Sequence, residues 1–151
     1  MTVAALTARQ RAAVQALVTA RKLEAMPVDE LRAAAFLAQA AEALADVPNV
    51  TRDQNRYNLA YDAAHDVGEA MLAAYGYRTR PGAGQHDALG RFLTAVLDSP
   101  PEDQAARHFD QMRRERNRQR YQARPVTSAA ARAAVRAATT LHAAARVRIA
   151  G

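Results

Sequence analysis

Arg113 to Tyr121, RRERNRQRY, is the densest run of cations in the chain, with one carboxamide (Asn117) and one phenol (Tyr121) set among them. On a helix, Asn117 and Tyr121 stand at i, i+4 and share a face. Arg113 precedes Asn117 by one turn, and Arg120 and Arg124 border the same face. Guanidinium groups grip phosphate oxygens bidentately. An amide orients a ribose hydroxyl or a base edge, and an aromatic ring stacks on a splayed base. The set therefore suits RNA, with Arg113, Arg116, Arg120 and Arg124 on phosphates. A plainer reading is a solvated Arg-rich helix end, with Tyr121 in the core and the last-turn cations complementing the helix dipole.

The element that must position these groups starts at Ser99-Pro-Pro-Glu102, which combines an N-cap Ser, first-turn Pro and Glu at N3. Its apolar stripe is Ala105, Phe109 and Met112, and one more turn lands on Arg116, then Arg120. Cations that extend an apolar stripe lie at the margin of a packed surface, with their heads turned to something polar. Arg114 and Arg118 fall on other faces and are expected to be ordinary surface charge.

Upstream, Thr51 and Gln54 form a capping-box pattern for a long helix ending at Tyr75, with Gly76 as its C′ residue. Tyr57, Tyr61, Ala64, Gly68, Met71 and Tyr75 make its apolar stripe, and Gly68 marks a close helix–helix approach. A neighbouring stripe is polar: Asn58, Asp62, His65 and Glu69. Asn58, Asp62 and His65 are candidates to line a cleft opposite Arg116, against the commoner outcome of a solvated face. A di-metal site would need matching carboxylates on partner helices. The sequence has no second Glu-x-x-His or Asp-x-x-His, so neither metal nor cofactor is expected. His86 and His142 have no partners at a recognisable spacing.

The rest of the chain reads as further helices. Residues 7–25 carry a capping box at Thr7 and Gln10, and Leu6, Ala13, Leu17 and Ala20 recur near the helical period, until Pro27 stops the helix. A second helix runs from Asp29 to about Leu44, with Ala34, Leu37, Ala41 and Leu44 inward. A Gly- and Pro-rich loop spans 76–86. A short helix then turns Leu89, Phe92, Leu93 and Val96 inward. The last helix, 127–149, buries Ala131, Val135, Ala138, Leu141, Ala145 and Ile149. No segment of strand period appears. The expected fold is all-α, an antiparallel helical bundle of about four core helices plus two leading ones, with residues 1–26 as a leading helix and 27–151 as one domain.

Arg116, Asn117 and Tyr121 form an R-N-x-x-x-Y run that resembles the HEPN superfamily of small helical nucleotide-binding domains. The segment Asn58 to His86 is similar to the long second helix and following Gly-rich loop of those domains. The likeness is strongest to actinobacterial HEPN-like proteins in which R-N-x-x-x-Y replaces the nuclease motif, Arg-x4–6-His. It covers roughly residues 30–150. The resemblance implies a homodimer, RNA or nucleotide binding, a toxin–antitoxin or defence setting with an antitoxin-like protein partner, and Arg116, Asn117 and Tyr121 as the residues of any metal-independent ribonuclease activity. The motif His is missing: Tyr121 stands five after Arg116, and in a second register Gln119 takes the His slot after Arg114. A phenol with pKa ~10 is a poor general base at neutral pH. Binding is therefore expected to outlast hydrolysis.

Charge agrees with an anionic partner. The net charge is +6. Residues 101–151 hold eleven Arg against four carboxylates, a net of +7, so residues 1–100 are close to neutral at −1. A cationic third on a neutral body suits phosphates or acidic proteins. One Lys against twenty Arg also fits a GC-rich genome. Without Cys there is neither disulfide nor thiolate metal site. Arg9 and Arg11 interrupt any signal-peptide run, and no window approaches the ~20 apolar residues of a membrane span, so a cytoplasmic protein without membrane contact is expected. No Ser/His/Asp set, Walker loop or H-E-x-x-H is present, and no helix-turn-helix connection presents the Arg run to DNA. A second reading is a non-catalytic homodimeric module whose Arg cluster docks an acidic protein.

Overall fold

The computed structural model describes residues 1–150. In chain order the elements are β1 (Thr2–Val3), α1 (Ala8–Thr19), β2 (Leu23–Ala25), α2 (Glu30–Asp46), a 3₁₀ turn (Val47–Asn49), α3 (Asp53–Tyr75), β3 (Tyr77–Thr79), α4 (Gln85–Val96), α5 (Glu102–Gln122), α6 (Ser128–Arg148) and β4 (Ile149–Ala150). The fold is an all-α helical bundle centred on α3, against which α2, α4, α5 and α6 all pack.

α3 takes the centre because small and large side chains alternate along it. Tyr57, Tyr61, Ala64, Gly68 and Met71 are all buried, as the stripe predicts. At Gly68 a Cβ would sit 2.7 Å from Leu89 Cγ, so only glycine lets α4 approach this closely. Gly76 ends α3 in the left-handed region at φ +83°, which an L side chain adopts only with strain. Leu89, Phe92, Leu93 and Val96 of α4, and Ala105, Phe109 and Met112 of α5, complete this side of the core. The Tyr57 hydroxyl reaches the Met112 carbonyl at 3.0 Å and Glu115 Oε2 at 3.2 Å, which pins α5 to α3 one turn before Arg116.

Several local expectations are corrected. The first helix stops at Thr19, not 25, and Arg21 adopts φ +59°. Leu23–Ala25 then pairs antiparallel with Tyr77–Thr79, while Thr2–Val3 pairs with Ile149–Ala150. These short strands tie residues 1–26 to the rest of the chain. Buried Gln10 does the same, donating from Nε2 to the Val96 carbonyl at 3.0 Å and Asp98 Oδ1 at 2.9 Å. On α2 the buried face holds Ala33 and Ala40, with Ala34 and Ala41 exposed. Residues 33–35 are all Ala, so the register was invisible to hydrophobicity. Thr51 does not cap α3: the N-cap position is Arg52 and carries no side-chain cap bond. The cap of α5 falls at Pro101, not Ser99. The capping box at Thr7 and Gln10 and the Asp29 cap form as expected.

Candidate functional site

Arg116 lies where the apolar stripe of α5 runs out. Its side chain is half-buried, and its guanidinium sits 4.6 Å from the centroid of the Tyr61 ring on α3. A cation over an aromatic face is attracted by the ring quadrupole, more strongly where water is partly excluded. Nη1 also lies 3.8 Å from Asp62 Oδ1, one residue along α3. Arg116 is thus aimed by contacts from α3 that leave most of its donors free.

Beneath it is a ring stack. Tyr61 is 2% exposed and packs nearly parallel to Phe109, with centroids 5.4 Å apart. Its phenol oxygen lies 2.6 Å from Nδ1 of His86, at the start of α4. The His65 ring lies 4.6 Å from that of His86. Three side chains from α3 and α4 therefore form a stack that meets Phe109 of α5, and Tyr61 and His86 open onto a recess of about 350 Å³. Tyr61, Gly82, Gly84, His86 and the Asp87 carboxylate line it, and Arg113, Arg116, Asn117 and Arg120 form its α5 wall.

The electrostatics follow from burial and from the arginines. Burial pushes the His65 imidazole below its ordinary value. The Asp62 carboxylate opposes that shift and Arg116 adds to it. His86 is also lowered, first by desolvation and then by His65, Arg116 and Arg113, with Glu69 opposing. Both rings are neutral at pH 7. Burial raises the Tyr61 phenol despite the nearby cations of Arg116 and Arg113, so it remains a hydrogen-bonding phenol rather than a phenolate. Among the described residues no group of three or more His, Asp or Glu is placed to hold a metal ion.

The sequence-predicted residues divide. Arg113, Arg116, Asn117 and Arg120 share the recess. Arg113 is partly committed, since its Nη2 binds Asp110 at 2.9 Å and faces Asp87 at 3.8 Å. Asn58 lines a second recess of about 260 Å³ with Gln54, Arg116, Gln119 and Arg120, so Arg116 and Arg120 are a wall common to both. Asp62 faces Arg116, and His65 supports His86. Tyr121 is neither in the recess nor in the core: it is 89% exposed at the end of α5. Arg124 lies elsewhere too, in a groove with Arg118 and Pro125. The helix turns 100° per residue, so Tyr121 at Arg116+5 points well away from Arg116.

Tyr61 and His86 were missed. Tyr61 sits in the apolar stripe and reads as core, which it is, but its hydroxyl reaches the site. His86 has no helical-spacing partner, because its partners lie on another helix. The available signal was a histidine directly after the Gly-rich loop, in the first turn of α4.

Comparison with protein-family models, curated proteins and solved structures finds no match. No helix among the described residues is long and apolar enough to cross a membrane. The functional reading therefore rests on the recess and its surroundings.

Proposed function

We propose that the chain binds RNA, with the recess between α3, α4 and α5 holding a backbone phosphate. The observation that carries this reading is the convergence of Arg113, Arg116 and Arg120 on one recess that Gly82 and Gly84 also line. Gly82 and Gly84 have positive φ and open space where a Cβ would stand, so a ligand meets little obstruction there. Two features favour a chain of nucleotides over a single one. Arg116 and Arg120 face two adjoining recesses at once. The exposed Tyr121 ring, ~7.5 Å further along the helix axis than Arg116 but turned ~140° around it, offers a stacking platform to a base on a strand that wraps past the end of α5. The sequence resemblance to HEPN domains supports the same ligand class and adds a homodimer and an antitoxin-like partner to the proposal.

Fluorescence polarisation with a short single-stranded RNA tests this directly. Affinity should fall steeply with added salt as phosphate counterions are released. Binding that is flat with salt, or no binding at ~50 mM salt, contradicts the proposal.

A further inference from the structure

We propose that the second recess, between α3 and the end of α5, reads the edge of one nucleobase of the RNA through Gln54, Asn58 and Gln119. This inference rests on the RNA-binding reading above and gives that site a base specificity. The lining differs from that of the first recess: three carboxamides and the two shared arginines, Arg116 and Arg120, with neither a carboxylate nor an apolar side chain. Gln119 Oε1 is buried and has no hydrogen-bond partner, the one buried side-chain oxygen or nitrogen so left among the described residues. An acceptor without a donor destabilises the free protein, and a ligand N–H that reaches it removes that cost.

The amides face one another across the recess. Asn58 stands one turn after Gln54 on α3, and Gln54 Nε2 donates to Asn58 Oδ1 at 3.2 Å. That bond sets which way the Asn58 amide points and leaves its Nδ2 hydrogens for a ligand acceptor. Gln119 comes from α5 on the other side. The terminal torsion of a glutamine is soft, and turning it toward a ligand breaks no hydrogen bond at Oε1. The recess therefore presents a donor from α3 and an acceptor from α5. A phosphate offers only acceptors and would leave the Gln119 carbonyl unpaired. A base edge sets an N–H beside an acceptor and satisfies both, which is how carboxamides recognise bases.

The two recesses are joined by their common wall. Arg116 and Arg120 line both, so a strand with a phosphate in the first is led past the amides of the second. Arg120 is exposed, and its guanidinium plane offers a surface on which the base can lie. Phosphate contacts position the strand and the amides specify which base is accepted, a division of labour common to nucleic-acid sites. Gln119 is the specificity-determining residue in this arrangement.

The experiment measures the affinity of the wild-type chain, Gln119→Leu and Asn58→Ala for RNA pentamers by fluorescence polarisation, in lithium salt to prevent guanine quadruplexes. Four pentamers each repeat a single base, adenine, cytosine, guanine or uracil, and the fifth is an abasic ribose-phosphate strand of the same charge. The wild type should prefer one base and hold the abasic strand ~10-fold more weakly than that base, the worth of one or two hydrogen bonds. The base-to-abasic ratio should fall toward one in both variants. Leucine at 119 removes the orphaned carbonyl, so the denaturation midpoint of Gln119→Leu should be no lower than that of the wild type, which separates loss of readout from loss of fold. Asn58→Ala gives the same readout from the opposite wall. Equal wild-type affinity for all four bases, or a ratio unchanged in either variant, overturns the inference and leaves the phosphate site standing. Absence of wild-type binding to every strand overturns the RNA reading itself.

Discussion

Tyr61 and His86 are 25 residues apart in the chain, yet the phenol oxygen of one meets Nδ1 of the other at 2.6 Å. The contact joins the buried middle of α3 to the start of α4, and the Arg116 guanidinium covers the same Tyr61 ring. Tyr61→Phe keeps the ring, and so the cation–π contact and the stacking on Phe109, but removes the hydrogen bond. The expected cost is about 1 kcal/mol in chemical denaturation, with unchanged helical content by circular dichroism. A variant as stable as the wild type would show that the bond contributes nothing to the fold.

The half-buried Asp66 carboxyl is pushed up to about 6 by desolvation and by the nearby Asp62 and Glu69 charges. Its folded value exceeds its unfolded one, so the ionised form costs stability above about pH 6, and that cost fades as pH falls toward 3.8. Asp66→Asn should stabilise the protein at pH 7 by about 1 kcal/mol, allowing for partial solvent screening. The gain should shrink at pH 5. His65 and His86 act in the opposite sense. Their folded values lie below 6.5, so their contribution is complete above pH 6.5 and is lost as pH falls through the folded values. Denaturation midpoints for both proteins at pH 5 and 7 check both signs, and a gain that grows on acidification would contradict them.

Gly68→Ala separates propensity from packing. Alanine in a helix interior gains ~1 kcal/mol over glycine, but here its Cβ would press on Leu89. Overpacking costs ~1–3 kcal/mol, so net destabilisation is expected, with a smaller penalty for Gly68→Ala when Leu89 is already Ala. Additive penalties in that double-mutant cycle would mean the two residues do not meet.

What was legible in the sequence follows a physical line. α3, α4 and α5 were readable because bulky residues recur on one face: Tyr57, Tyr61 and Met71 in α3, Leu89, Phe92 and Leu93 in α4, Phe109 and Met112 in α5. The half-buried place of Arg116 followed from extending that stripe. The face of α2 was not readable, since consecutive alanines carry no directional signal. The end of α1 was not readable either, because Leu23–Ala25 becomes a strand only by pairing with Tyr77–Thr79 across the fold. The recess itself is a meeting of three helices. Spacing along one helix found its α5 wall and placed Tyr121 on it wrongly, while His86 depended on a contact no spacing rule contains.

Tyr121 distinguishes surface from site. At 89% exposure its ring packs on little, so Tyr121→Ala should leave the thermal midpoint unchanged. Loss of a stacking platform should weaken single-stranded RNA binding by ~1–3 kcal/mol. Unchanged affinity would restrict the ligand to the recess.

The central claim is that Arg116 and Arg120 form a phosphate wall. The most direct measurement is the RNA affinity of wild type, Arg116→Ala and Arg120→Ala by fluorescence polarisation across a salt series. Because Arg120 is exposed, its variant tests charge without disturbing the Tyr61 stack. The account predicts weaker binding by both variants, with each lowering the salt slope by about 1. Affinities and slopes equal to those of the wild type would contradict it.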